Sequence, residues 1–172
     1  MDSLSIRLAS NLTIDSIVDG PGLRTVIWTQ GCPHLCPGCH NPQTHDKAKG
    51  IEVNINEVIE ELKKTKLQTG LTLSGGEPFD QPFPLIEIVK EAKKLHMNIW
   101  AFSGYTFEQI KNDKDKLELL KLVDVLVDGR FIESQKDYRL KFKGSKNQRI
   151  IDVPKSLETN SIVLSSYENT VD

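Results

Sequence analysis

Apolar residues recur along this chain with two alternating periods. Leu23 to Gln30 (LRTVIWTQ) is rich in β-branched and aromatic side chains and reads as a buried strand. Ile55, Val58, Ile59 and Leu62 then fall at i, i+3, i+4 and i+7, the stripe of an amphipathic helix. Leu71 to Ser74 gives a short strand. Leu85, Ile88, Val89, Ala92 and Leu95 form a second helical stripe after Pro82 and Pro84. Asn98 to Phe102 returns as a strand. Thr106, with Gln109 three residues on, predicts a capping box for a third helical stretch, interrupted around Asn112 to Asp115. Val123 to Val127 completes the series as a strand ended by Asp128-Gly129.

Strands alternating with helices of this length imply right-handed βαβ crossovers, hence an α/β fold with a mainly parallel sheet. In such sheets ligands gather at the carboxyl ends of the strands. Four segments follow directly after strands: the loop from Gly31, Gly75-Gly76-Glu77, Ser103-Gly104 and Asp128-Gly129-Arg130. At 172 residues the chain is short for a closed eight-fold barrel, so the expectation is a partial, open β/α barrel. No repeat, low-complexity stretch or linker is visible, and one domain spanning 1–172 is expected.

Composition narrows the partners. A net charge of −2 and a pI near 6.1 give no overall reason to expect nucleic acid or an anionic membrane. The amino-terminal stretch lacks a basic region followed by an apolar core, so no secretory signal is expected, and no apolar run approaches the length that spans a bilayer. Three cysteines, an odd number in one cluster, make a poor disulfide framework and point to a reducing, cytoplasmic compartment.

Those cysteines carry the chemistry. Cys32, Cys36 and Cys39 share one eight-residue loop, and the rest of the chain has none to add. An iron–sulfur cube normally takes four thiolates. Held by three, a [4Fe–4S] cluster keeps one iron open to a small molecule, as radical chemistry built on S-adenosylmethionine requires. The alternative is a structural zinc site completed by His34, His40 or His45. The spacing argues against it, because zinc knuckles usually draw paired ligands from two separated segments.

Several motifs together identify a family. Asp19-Gly-Pro-Gly22, the run Gly31-Cys-Pro-His-Leu-Cys-Pro-Gly-Cys-His-Asn41, Leu73-Ser-Gly-Gly-Glu-Pro78, Asp124 to Phe131 and Gly144 to Asp152 cover nearly the whole chain. The cysteine spacing and the Gly-Gly-Glu-Pro element resemble the radical S-adenosylmethionine superfamily. The later segments and the short length resemble, within it, the activating proteins of anaerobic (class III) ribonucleotide reductase. The resemblance implies that S-adenosylmethionine chelates the open iron and is cleaved on one-electron reduction to methionine and a 5′-deoxyadenosyl radical. It implies two protein partners: the large subunit of anaerobic ribonucleotide reductase, and a flavodoxin-like or ferredoxin-like electron donor.

It also implies site residues. Gly75 and Gly76 would let the backbone approach the methionine end of the cofactor, and Glu77 would support the loop or accept from the ammonium group. Many superfamily members carry an aromatic residue before the third cysteine. Gly38 stands there in this chain, so adenine contact falls to the backbone around Gly38 and Cys39 or to His40. Arg130 is a candidate for the cofactor carboxylate or a solvated arginine. Ser103 is a candidate for the ribose or amino group. Residues 130–149 hold seven basic side chains against two acidic ones, a local charge of +5, which is either a solvated face or a docking surface. Trp28 and Trp100 read as core. Two rival functions stay open, an activase or small-molecule enzyme of the same superfamily (a pyruvate formate-lyase activase, for example) and a zinc-stabilised interaction module.

Overall fold

The computed structural model describes residues 4–168. Met1 to Ser3, at the start of the stretch read for a secretory signal, lie outside the described residues. Every element expected from the periodicity is present. β3 (Arg24–Thr29), β5 (Gly70–Gly75), β6 (Asn98–Phe102) and β7 (Val125–Asp128) form a parallel core. The connections run through α1 (Ile55–Lys64), then α2 (Pro82–Lys94), then the pair α3 (Phe107–Lys111) and α4 (Lys114–Leu120). Thr106 and Gln109 close the expected capping box. The break before α4 is made by Asp113, whose carboxylate accepts from the amides of Asp115 and Lys116. The second stripe overreaches by one residue: Leu95 is the C-cap of α2 and is exposed.

The edges of the sheet correct the expectation of a mainly parallel arrangement. β1 (Ser5–Leu8) and β2 (Thr13–Ser16) both pair antiparallel with β3, β4 (Ile51–Asn54) pairs antiparallel with β1, and β8 (Arg149–Asp152) pairs antiparallel with β7. The order β4-β1-β3-β5-β6-β7-β8, with β2 on β3, leaves the sheet open. The cause at the β8 edge is the connection. Parallel neighbours need a long crossover, usually helical, over the sheet face. The chain between β7 and β8 instead holds one short 3-10 turn, Glu133–Gln135, and returns at the level where Asp128 pairs with Arg149. That segment therefore leaves and returns at the carboxyl edge, while Phe142 within it reaches under the sheet to Trp100. A short helix, α5 (Val153–Thr159), follows β8.

Strand alternation divides the two faces. Leu71 and Leu73 of β5, Ile99 and Ala101 of β6 and Leu126 of β7 meet Leu62 of α1, Leu85, Ile88, Val89 and Ala92 of α2, and Leu119 of α4 in the main core. The opposite face carries Trp100, Val127 and Ile150. At its amino-terminal end lies Arg24, fully buried. Its guanidinium donates to Thr72 Oγ1 and to the carbonyls of Pro21, Leu71 and Asn98, and stands 5.8 Å from the Trp100 ring centroid. Burial pulls its pKa down to about 10, which still leaves it charged at neutral pH. Phe142 and Tyr167 pack edge-on against Trp100, so this end is filled and space remains at the carboxyl edge. Trp100 is core as expected. Trp28 is only half-buried and donates its indole N–H to Thr13 of β2. Among the described residues no helix is long and apolar enough to cross a membrane.

Candidate functional site

A cavity of about 200 Å³ opens at the carboxyl edge of the parallel strands. Cys32, Cys36 and Cys39 line it from the loop after β3, Ser74, Gly75 and Gly76 from the end of β5, and Phe102, Ser103 and Gly104 from the end of β6. Val127, Gly129 and Phe131 line it from the end of β7 and the segment beyond. The loops expected to share one rim therefore do. The cysteine loop is tied down by backbone bonds: Gly31 N–H donates to Thr44 O at 2.6 Å, Cys32 N–H to His45 O at 3.1 Å and Glu77 N–H to Gly31 O at 2.8 Å. Asn41 N–H donates to Cys39 Sγ at 3.4 Å. Burial pushes the Cys32 thiol up to about 11, with the amides of His34 and Leu35 working against the shift. Its thiolate form thus needs a bound cation to stabilise it.

Gly75 and Gly76 line the cavity, and the fold needs both as glycine. Gly75 has φ +105°, and a Cβ there would sit 2.4 Å from the amide nitrogen of Thr29. A Cβ on Gly76 would lie 2.4 Å from Gly31 O and 3.0 Å from Thr44 O. These contacts are with the root of the cysteine loop. The glycines thus seat that loop against β5 as well as bordering the cavity.

Glu77 has a role the sequence left divided. Its carboxylate is fully buried and does not line the cavity. Oε1 accepts from Ser103 Oγ at 2.8 Å and from Gly104 N–H at 2.8 Å, and lies 2.7 Å from His34 Nε2. Oε2 accepts from Phe79 N–H at 3.0 Å. Glu77 therefore fastens the cysteine loop, through His34, to the end of β6. The His34 ring stacks edge-on against Tyr105 at 4.5 Å, and only a glycine at 104 leaves room for it. Ser103 lines the cavity, but its hydroxyl is spent on Glu77 and on Tyr105 N–H.

The segment from Asp128 is held from below and from the side. Asp128, buried, accepts from Phe107 N–H and from Arg149, which also grips Glu108. Gln148 accepts from the amides of Gly144 and Ser145 and donates to Gly129 O, while Asn147 donates to Arg130 O. The Gly144 to Asp152 motif thus holds Gly129, Arg130 and Phe131 in place. The Arg130 side chain is exposed and does not line the cavity. Phe131, which the sequence reading did not single out, does line it, 5.1 Å edge-on from the ring of His40. Gly38 lies outside the lining and faces the carboxylate of Glu133. In the basic stretch, Arg149 is committed to Asp128 and Glu108, and Lys143 to Glu168 and Gln148 O. Both serve the fold, which leaves a smaller cationic surface.

The donor set fits an iron–sulfur cluster. Three soft thiols share one cavity wall, and His34 is turned away to Glu77. His45 also lines the cavity, and its Nε2 is buried without a protein partner among the described residues.

Comparison with known proteins agrees on the class. Residues 18–151 match the family model of a 4Fe-4S single cluster domain, so the α/β sheet carries an iron–sulfur cluster domain. Three relatives share one description, anaerobic ribonucleoside-triphosphate reductase-activating protein. That of Haemophilus influenzae is 34% identical over 143 residues, covering 78% of this chain and 90% of the relative. That of enterobacteria phage T4 is 39% identical over 141 residues, covering 77% and 86%. That of Escherichia coli K12 is 33% identical over 141 residues, covering 77% and 90%. The chain belongs to the family of anaerobic ribonucleoside-triphosphate reductase-activating proteins.

Proposed function

We propose that this chain activates anaerobic ribonucleotide reductase by installing a glycyl radical on its large subunit, using a [4Fe–4S] cluster on Cys32, Cys36 and Cys39 and S-adenosylmethionine. The observation that carries the reading is the convergence of three thiols, the Gly75-Gly76 turn and the end of β6 on one cavity. When bound, the reduced cluster supplies one electron to S-adenosylmethionine, which releases methionine and leaves a 5′-deoxyadenosyl radical that takes a hydrogen atom from a glycine Cα. The sheet is then a partial β/α barrel of the radical S-adenosylmethionine type, and the chain is one such domain.

The protein's own residues bind, orient and exclude water. Gly75 and Gly76 border the methionine end, and His40 with Phe131 offers the adenine an aromatic edge on the opposite side. Cys39 completes that end, while Gly38, outside the lining, shapes the loop that carries it. Glu77 and Ser103 act by positioning, since their polar atoms are already engaged with each other and with His34 and Gly104. Arg130, exposed at the rim, suits the partner protein better than the cofactor carboxylate. So do Lys136, Arg139 and Lys146, all exposed on the segment that walls the cavity. An open sheet edge suits a docked protein segment better than a free metabolite. A flavodoxin-like or ferredoxin-like protein fits the need for single electrons in a reducing cytoplasm.

The test is direct. Reconstituted anaerobically and reduced with dithionite, the protein is expected to yield 5′-deoxyadenosine and methionine in equal amounts. A protein with full iron and sulfide content that yields neither would remove the reading. Gly76→Val extends the test. Its side chain must displace the Gly31 or Thr44 carbonyl, an overpacking cost of about 1–3 kcal/mol. S-adenosylmethionine should then bind about tenfold more weakly, or worse. Equilibrium binding to the reconstituted variant checks this, and unchanged affinity would take the turn out of the site.

A further inference from the structure

Between β7 and β8 the chain makes a loop whose two ends wall the cavity. Phe131 lines it from one end and Gly144 from the other. Lys146 N–H donates to Gln135 O at 3.0 Å, and Lys136 pairs with Ser145 in an isolated antiparallel bridge, so the two ends are tied together. On the flank, the Glu133 carboxylate stands against Gly38 of the cysteine loop. On the underside, the Phe142 ring packs against Trp100 at 5.2 Å and Tyr167 at 5.9 Å, and Lys143 pairs with Glu168 at 2.7 Å. The tip is a turn. Leu140 N–H donates to Asp137 O, and Arg139 grips the Asp137 carboxylate through Nε and Nη2. Tyr138 rides on that turn, two residues from the bridge and so within about 7 Å of chain from it. It is 81% exposed, the most exposed large apolar or aromatic residue among the described residues, on a loop held at base, flank and underside. Lys136 Nζ lies 5.1 Å from the centroid of its ring.

We propose that Tyr138 is the anchor by which this loop docks the protein that receives the radical, with the cations around it meeting carboxylates on that partner. The proposal rests on the activase reading above and names the contact that brings the two proteins together. Tyrosine and arginine dominate the binding energy of protein interfaces, and a ring presented on a held turn loses little freedom when it is covered. Charge decides the occupant. Lys143 and Arg149 are paired within the fold, which leaves Arg130, Lys136, Arg139, Lys141 and Lys146 exposed against Glu133 and Asp137. A second copy of the chain meeting this face by two-fold symmetry would set like charges against like. A partner with acidic side chains around its docking segment meets it favourably. The loop's own base is the wall beside which the radical forms, so a protein held at Tyr138 has a segment within reach of the cavity.

The test compares Tyr138→Ala, Tyr138→Phe and Lys146→Glu with the unmodified protein, all reconstituted anaerobically. Iron, sulfide and dithionite-driven S-adenosylmethionine cleavage without the reductase are expected to match in all four, because neither side chain lines the cavity. Glycyl-radical formation is then followed by electron paramagnetic resonance at rising reductase concentration. Tyr138→Ala should need about tenfold more reductase for its half-maximal rate and reach the same maximum. Tyr138→Phe, which keeps the ring, should lose little. Lys146→Glu should also need more reductase, by a factor that shrinks at high salt. An unchanged half-maximal concentration in Tyr138→Ala overturns the proposal, as does a fall in the maximum alone. Loss of the cluster, or of cleavage without the reductase, would assign the ring to the fold and also overturns it. A changed oligomeric state of Tyr138→Ala in sedimentation, with no greater need for reductase, would put a second copy on this face instead and overturns it too. If the unmodified protein cleaves S-adenosylmethionine but puts no radical on the reductase at any concentration, the activase reading has failed and this proposal falls with it.

Discussion

Cys36→Ala is expected to strip the protein of a competent cluster and to reduce S-adenosylmethionine cleavage to background. Each thiolate anchors one iron of a cube, and the chain holds only Cys32, Cys36 and Cys39. With two left, no other cysteine can replace the third. His34 is no substitute, because its Nε2 lies 2.7 Å from Glu77 Oε1 in a buried pair. Iron and sulfide analysis together with visible absorption after anaerobic reconstitution checks this. A Cys36→Ala protein with full iron content and activity would contradict the ligand assignment, and a colourless, stoichiometric zinc protein would revive the interaction-module reading.

Glu77→Ala should have the second-largest effect, on stability and on the site together. It removes a fully buried carboxylate and leaves donors on Ser103, Gly104 and Phe79, and the His34 ring, without their acceptor. Breaking a buried charged network in this way costs about 3–5 kcal/mol. Glu77→Gln keeps the shape and most acceptors but must turn its amide NH2 toward one of the backbone N–H groups, Gly104 or Phe79. It should cost about 1–3 kcal/mol, the penalty of one unsatisfied buried pair. Denaturant unfolding measures both, and the order Ala worse than Gln worse than unmodified is expected. Cluster loss should follow the same order, because His34 is the link from this network to the cysteine loop. A Glu77→Ala protein of ordinary stability with weakened cofactor binding alone would mean that Glu77 faces the ligand after all.

Much of this was legible in the sequence because it rests on local rules. The stripe through Ile55, Val58 and Leu62, the Thr106–Gln109 box and the break at Asp113 are set by residues a few positions apart, and each stands where the pattern put it. The shared rim was legible too, since strands followed by Gly-rich segments put their loops on one edge. The antiparallel edges were not. β2 reads TIDS, with one buried side chain in four, and β8 is defined by a connection that lacks a helix. Neither leaves a periodic signal. The role of Glu77 was half legible: its place after two glycines marked it, but its partners His34 and Ser103 lie 43 and 26 residues away and meet only through the sheet. Phe131 was missed as a cavity residue, and His45 was named only as a possible zinc ligand, for a similar reason. Each sits in a loop whose path is set by distant bonds, Asn147 and Gln148 for the first and Gly31 and Cys32 for the second. The basic run misled in the opposite sense, because a charge count cannot tell Arg149, paired with the buried Asp128, from Lys146 in solvent.

The central claim is that the radical made here ends on a protein. The measurement that tests it most directly mixes the reconstituted protein, S-adenosylmethionine and a one-electron reductant with anaerobic ribonucleotide reductase under strict anaerobiosis, and records the electron paramagnetic resonance spectrum. The account predicts a glycyl-radical doublet on the reductase, with ribonucleotide reduction beginning as it appears. A doublet that forms only on pyruvate formate-lyase, or S-adenosylmethionine cleavage stimulated by a small molecule with no radical on either protein, would contradict it.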